Sequence, residues 1–132
     1  MLPSILSAMR LGYARFADVV VLSLSGRVDH ATAEELETAL APHLARCGEG
    51  QDHVVLDFAG VDYISSAGLR ILMLAAKQAK AQRGFLAVAA VQPLVHEILE
   101  ISKFTLVIRT LPSVREAVAA ASPAGLAALE RG

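Results

Sequence analysis

An α/β fold in one domain spanning residues 1–132 is what this sequence predicts, and three observations predict it. Apolar runs with strand character alternate with amphipathic helical stretches along the chain. Strands separated by helices of about a dozen residues demand crossover connections, and hence a mostly parallel or mixed sheet covered by helices. At 132 residues the chain is long enough to enclose a single core. The order reads β-β-α-β-α-β-α-β-α, so a four- or five-stranded sheet with four to five helices is expected.

Val19-Val20-Val21-Leu22-Ser23-Leu24 is a β-branched run ending at Ser25-Gly26. The weaker alternation from Met9 to Phe16 can pair with it through Ala17-Asp18, which makes the opening a β-hairpin. Thr32 to Glu35 fits a capping box, the hydroxyl taking the Glu35 amide and the carboxylate reaching back. Leu36, Leu40 and Leu44 then recur every fourth residue, so a helix is expected from about Ala31 to Arg46. Gly48-Glu49-Gly50 breaks that pattern, and His53-Val54-Val55-Leu56-Asp57-Phe58 is a continuous apolar run of the kind buried on both faces, the expected central strand.

Beyond Gly60 and Asp62, Ser65-Ser66-Ala67-Gly68 leads into a helix. Its Leu69, Leu72, Met73 and Ala76 share one face until Gln82, and Gly84 stands as the closing glycine. Phe85 to Val91 repeats the buried-strand pattern. Pro93 sits where a first helical turn tolerates proline, and Leu94, Ile98 and Ile101 follow at helical spacing. Leu106-Val107-Ile108-Arg109 reads as a last short strand, and Ser113-Val114-Arg115-Glu116 as a second capping box ahead of an alanine-rich helix. Ser122 to Gly132 either extends that helix past Pro123 or trails as a tail, and its residues leave the choice open.

Composition narrows the function classes. With 55% hydrophobic and 19% charged residues, disorder is excluded. A net charge of −1 with no run of Lys or Arg gives nucleic acid no electrostatic footprint. The longest strongly apolar stretch, Ile71 to Ala76, lies between Arg70 and Lys77, far short of the ~20 residues a bilayer crossing needs. Met1 to Met9 is apolar, but it has no basic region ahead of it and Pro3 interrupts it, so a cytoplasmic location is expected. Cys47 stands alone and reads as a core filler without a disulfide. His30, His43, His53 and His96 show no metal-ligand spacing with one another or with Cys47, and neither metal nor cofactor is expected.

The segment with chemical content is Asp62-Tyr63-Ile64-Ser65-Ser66-Ala67-Gly68-Leu69-Arg70, which passes from a strand exit into a helix N-terminus. Free amides and the positive end of the helix dipole favour an anion there, including a phosphate attached to a residue of the first turn. Ser65 and Ser66 both stand in that turn. A phosphoserine adds close to two negative charges, so at a contact surface it opposes docking while the helix start tolerates it. Gly68, without a side chain, lets another backbone approach the serines closely. The plain alternative makes Ser65 an N-cap and Ser66 a solvated first-turn residue.

Leu24-Ser25-Gly26-Arg27-Val28-Asp29-His30-Ala31-Thr32-Ala33, then Val55-Leu56-Asp57-Phe58, then Tyr63-Ile64-Ser65-Ser66-Ala67-Gly68-Leu69-Arg70 together resemble the STAS domain of bacterial anti-sigma-factor antagonists. The resemblance covers roughly Met9 to Ala121, and only the ends lie outside it. It implies the STAS fold, a mixed sheet with flanking helices. It also implies that Ser66, two residues before the motif glycine, is phosphorylated by an anti-sigma factor that is itself a serine kinase, with Ser65 as the alternative acceptor. The unmodified form would bind that kinase and free the sigma factor. Family members often carry Asp just before the phosphorylated serine, where this chain has Ser65. Asp29 resembles the family's acidic residue after the second strand, near the phosphorylation site. The expected partner-binding residues are therefore Asp29, His30, Thr32, Ser65, Ser66, Ala67, Gly68, Leu69 and Arg70, and a homodimer is compatible with this reading.

Rival readings fare worse. A serine hydrolase needs a nucleophile with a base in reach, but no Gly-x-Ser-x-Gly elbow surrounds Ser66 and no triad assembles from the four histidines. A receiver domain needs clustered acidic residues that Asp57 and Asp62 do not supply. STAS-like subunits of lipid-transport ATPase complexes, stress-signalling assemblies or anion transporters keep the fold and change the partner.

Overall fold

The computed structural model describes residues 9–132, and the reading of the first eight residues as a short extension falls outside them. Strands β1 (Met9–Phe16), β2 (Val19–Val28), β3 (His53–Ile64), β4 (Leu86–Ala89) and β5 (Arg109–Leu111) form one sheet in the order β1-β2-β3-β4-β5. The β1–β2 hairpin is antiparallel and every later pairing is parallel. Among the described residues the helices are α1 (Ala33–Ala45), α2 (Ser66–Ala81), α3 (Pro93–Ile101), α4 (Val114–Ala121) and α5 (Pro123–Arg131). This is the expected α/β fold, and the open question at the C-terminal end resolves as a separate helix. None of these helices is long and apolar enough to cross a membrane.

The apolar runs are continuous because the sheet has a core on each face. Side chains alternate along a strand, so Val20, Leu22 and Leu24 of β2 and Val54, Leu56 and Phe58 of β3 point into one core. There they meet Leu36, Leu40 and Leu44 of α1, Leu72, Ala75 and Ala79 of α2, and Val95 and Leu99 of α3. Val19, Val21 and Val55 point the other way, against Ala117 and Val118 of α4, with Leu129 of α5 packed alongside. Each fully buried Val or Leu contributes roughly 1.5 to 3 kcal/mol, and α4 and α5 are needed because β2 and β3 would otherwise leave valines in water.

Several boundaries differ from the sequence reading. Strand β3 does not end at Phe58 but runs on through Gly60 and Asp62, because β2 continues beside it and supplies ladder partners: Ser25 with Gly60, Gly26 with Val61, Arg27 with Tyr63 and Val28 with Ile64. Two register shifts absorb the irregularity. Strand β4 is shorter than the Phe85–Val91 run. Helix α1 starts at Ala33, and the Thr32 hydroxyl makes no capping bond to the Glu35 amide because it is used elsewhere. The residue that closes α2 is Arg83, at φ 57, not Gly84. Arg83 N donates to Lys80 O and Gly84 N to Ala79 O, at 3.1 and 2.8 Å, which is a Schellman ending. Gly84 is glycine for a different reason, since a Cβ there would lie 2.7 Å from the Cys47 carbonyl oxygen and thiol.

The last strand is also displaced. Phe104–Leu106 is a 3-10 turn entered through Lys103 at φ 60, and Leu106 is 82% exposed. Only Ile108 of the apolar triplet is buried, and the strand begins one residue later, pairing Arg109, Thr110 and Leu111 with Ala87, Val88 and Ala89. Helix α3 likewise turns a different stripe inward: Val95 and Leu99 are buried, whereas Leu94 and Ile101 are 55% and 76% exposed. Of the two capping boxes, Ser113 behaves as read, its hydroxyl accepting from the Glu116 amide at 3.1 Å.

Candidate functional site

Parallel pairing brings the two sequence segments together. Val28 and Ile64, the last residues of β2 and β3, are register partners, so the loops that follow leave the same edge of the sheet. The Ser65 amide donates to Val28 O at 2.8 Å, which ties the start of α2 to the end of β2.

The turn after β2 is built by Asp29 and Thr32. The Asp29 carboxylate accepts from the Ala31 and Thr32 amides at 3.0 and 3.2 Å. The Thr32 hydroxyl, 2% exposed, donates to Arg27 O at 2.9 Å and accepts from the Asp29 amide at 2.9 Å. Thr32 is therefore a buried bracket for the turn. Arg27 Nε lies 3.3 Å from the Asp29 carboxylate, and its guanidinium sits 4.4 Å from the centre of the Tyr63 ring. Loss of hydration works to raise the Asp29 pKa, but the Arg27 guanidinium and the two amides outweigh it and hold the carboxyl below its ordinary range. His30, next along, is exposed.

At the start of α2 the two serines are differently placed. Ser65 is the N-cap, extended at φ −94 and ψ 175, with its hydroxyl accepting from the Gly68 amide at 3.3 Å. Ser66 is the first helical residue and is exposed, and no acidic residue shares the first turn. Gly68 is buried: a Cβ there would lie 2.7 Å from Val28 Cγ1 and 3.0 Å from Ile64 Cγ1 and from Val28 O. The close approach that this glycine permits is thus within the chain, between α2 and the strand ends, rather than toward an incoming backbone. Ala67 and Leu69 are half-buried, and Arg70 is exposed one turn below Ser66.

A groove of about 570 Å³ opens beside these residues, between the start of α1 and the outer face of α2. Glu34 and Glu37 line it with His30 on one side, and Ala67, Arg70, Ile71 and Leu74 on the other. Sequence reasoning quoted Arg27 and Tyr63 within the motifs but gave them no role at the site, and it did not single out Glu34, Glu37, Ile71 or Leu74. Arg27 had a signal, standing two residues before Asp29 at the end of a strand and hence on the same face. Leu74 had another, as a large apolar residue outside the buried stripe of α2.

Elsewhere, Cys47 is buried, donates weakly to Phe85 O at 3.3 Å, and has its thiol pKa pushed up by burial. Among the described residues no three His, Cys, Asp or Glu side chains converge so as to hold a metal ion.

The STAS domain sequence profile matches residues 13–117. A Bordetella bronchiseptica protein provisionally named anti-sigma factor antagonist BtrV is 42% identical over 113 residues, covering 86% of this chain and 94% of that protein. An anti-sigma factor antagonist from Mycobacterium paratuberculosis superposes with a TM-score of 0.76 at 24% identity, over 86% of this chain and 93% of the other. The Bacillus cell fate determinant SpoIIAA in its phosphorylated form superposes with a TM-score of 0.62 at 16% identity, over 87% and 100% of the two chains. The profile spans most of the described sheet and helices, including both loops of the site, and the chain belongs to the STAS domain family, grouping with its anti-sigma factor antagonists.

Proposed function

We propose that this chain is an anti-sigma factor antagonist: it binds an anti-sigma factor with serine kinase activity through the Asp29–Thr32 turn and the start of α2, and phosphorylation of Ser66 ends that binding. While unmodified, it holds the kinase and releases the sigma factor, acting in the cytoplasm. The observation that carries this reading is the division of labour between the two serines. Ser65 spends its hydroxyl on the helix cap, whereas the exposed Ser66 beside it has a hydroxyl with no hydrogen bond among the described residues.

In the transfer, Ser66 Oγ attacks the γ-phosphorus of ATP bound to the kinase. The new O–P bond forms as the bond to the bridging oxygen breaks, ADP leaves, and the hydroxyl proton passes to a base on the kinase. This chain supplies the acceptor and no catalytic group, so it is not an enzyme in its own right. The dianion left on the first turn is favoured by the helix dipole, but a partner closing over it must strip its hydration at a cost of several kcal/mol. That a protein of the same fold is known in a phosphorylated form supports the expectation that folding survives the modification.

The test is phosphosite mapping after incubation with the cognate kinase and ATP, paired with binding measurements. Ser66→Ala should bind as the wild type does and take no phosphate, Ser65→Ala should still be modified at residue 66, and Ser66→Asp should bind at least tenfold more weakly. Phosphate found only on Ser65, or equal affinity of Ser66→Asp and the wild type, would overturn the proposal and favour a constitutive STAS subunit of another complex.

A further inference from the structure

We propose that Arg70 is the internal partner of the phosphate on Ser66, so that modification takes the free cation out of the α1–α2 groove as well as adding an anion to its rim. This rests on the reading of Ser66 as the modified serine.

Residues 66 and 70 are four apart on α2 and both exposed, a spacing that puts their Cβ atoms about 6 Å apart on one face. Helical side chains lean toward the N-terminus, so Arg70 reaches back over Ser66 rather than away from it. An anion one turn N-terminal to a cation is also the favourable order of such a pair. The planar guanidinium fork can take two phosphate oxygens at once.

Arg70 is available for this. Arg15, Arg27, Arg46, Arg83 and Arg115 each lie on a carboxylate, and Arg109 lies over the Phe85 ring. Arg70 has no ion pair or side-chain hydrogen bond among the described residues. Arg27, at the end of β2, is already committed to Asp29 and Tyr63. Across the groove stand Glu34, Glu37 and His30. The two glutamates would repel a phosphate that had no cation of its own, and they remain behind as the groove's net charge once Arg70 has turned to Ser66.

The test uses the full chain with phosphoserine incorporated at position 66 during translation, titrated by 31P NMR. Removing the guanidinium in Arg70→Gln should raise the second pKa of the phosphoserine by about 0.3 unit, the size expected for one exposed ion pair at this spacing. Arg70→Lys should keep at least half of that difference. Lys77→Gln, which removes the same charge two turns further along the helix, should leave the titration where it is. Superimposable curves for Arg70→Gln and the parent, or an equal shift from Lys77→Gln, would overturn the pairing. Because the phosphate is built in, a kinase that ignored Ser66 would sink the functional reading without touching this result, and superimposable curves would sink only the pairing.

Discussion

At the scale of single residues, Gly68 shows how one position can be misread and yet be decisive. Its missing side chain reads in the sequence as an opening for a partner, but the space is already filled by Val28 and Ile64. Two effects oppose each other on Gly68→Ala. Alanine gains about 1 kcal/mol in helix propensity, while its Cβ meets a β-branched side chain that has little freedom at χ1, and a backbone oxygen that cannot turn away. Overpacking of this kind costs about 1 to 3 kcal/mol, so the variant should be about 1 kcal/mol less stable in chemical denaturation, with α2 displaced from the strand ends. Unchanged or greater stability would mean that Val28 yields more easily than its burial implies. What was legible here was the position of the motif, and what was not was the direction in which the glycine faces, since that depends on the pairing of Val28 with Ile64, which neither segment displays locally.

Elements differ in how openly they declare themselves. Strands β2 and β3 were readable because valines and leucines facing two cores give an uninterrupted run, which no exposed segment has reason to keep. The end of β3 was not, because its continuation through Gly60 and Asp62 is set by β2 alongside and not by its own residues. The last strand and the inward stripe of α3 went wrong for a related reason: Leu106, Leu94 and Ile101 are apolar residues that the fold leaves exposed, so apolar spacing alone pointed to the wrong set. Helix α2 was legible at its start, where Ser65 is the N-cap that the plain alternative offered, but not at its close, which falls on Arg83. Since the Ser65 hydroxyl serves the Gly68 amide, Ser65→Ala should lower stability by about 1 kcal/mol. Thermal unfolding of this variant beside Ser66→Ala would check it, with Ser66→Ala close to the wild type. A larger loss from Ser66→Ala would give the capping role to the wrong serine.

The whole molecule separates its candidate site from an electrostatic clasp at the opposite end of the sheet. The site lies where β2 and β3 finish. At their beginnings, roughly 30 Å away along the ten residues of β2, Asp52 accepts two bonds from Arg15 at 3.0 and 2.9 Å and one from Arg46 at 3.2 Å. Nearby, Asp18 accepts from the Ser122 hydroxyl at 2.6 Å and lies 3.3 Å from His53 Nε2, joining the hairpin turn to the α4–α5 junction. The Arg15 hydrogen bonds, helped by Arg46 and opposed by burial, hold the Asp52 carboxyl below the ordinary aspartate value of 3.8. A carboxylate depressed in the folded state adds stability that is present above its unfolded pKa and is lost as pH falls through its folded pKa. Asp52→Asn should therefore cost about 1 to 2 kcal/mol at neutral pH, kept small because both arginines are partly solvated and can turn to water. The gap to the wild type should narrow below about pH 4 and close once Asp52 is protonated. His43, stacked on Tyr13, has its pKa lowered first by burial and then by Arg15, so its protonation weakens the fold in an earlier window, below its ordinary 6.5. That step should persist in the variant and grow, because the Asp52 carboxylate works to raise the His43 pKa and its loss leaves burial and Arg15 less opposed. Sites this far apart with no shared partners act independently, and so Asp52→Asn should leave the affinity for the anti-sigma factor unchanged while Ser66→Asp lowers affinity without lowering stability. Denaturation curves from pH 3 to 8, set beside binding isotherms for both variants, measure the two together, and a loss of affinity in Asp52→Asn would show that the two ends of the sheet are coupled.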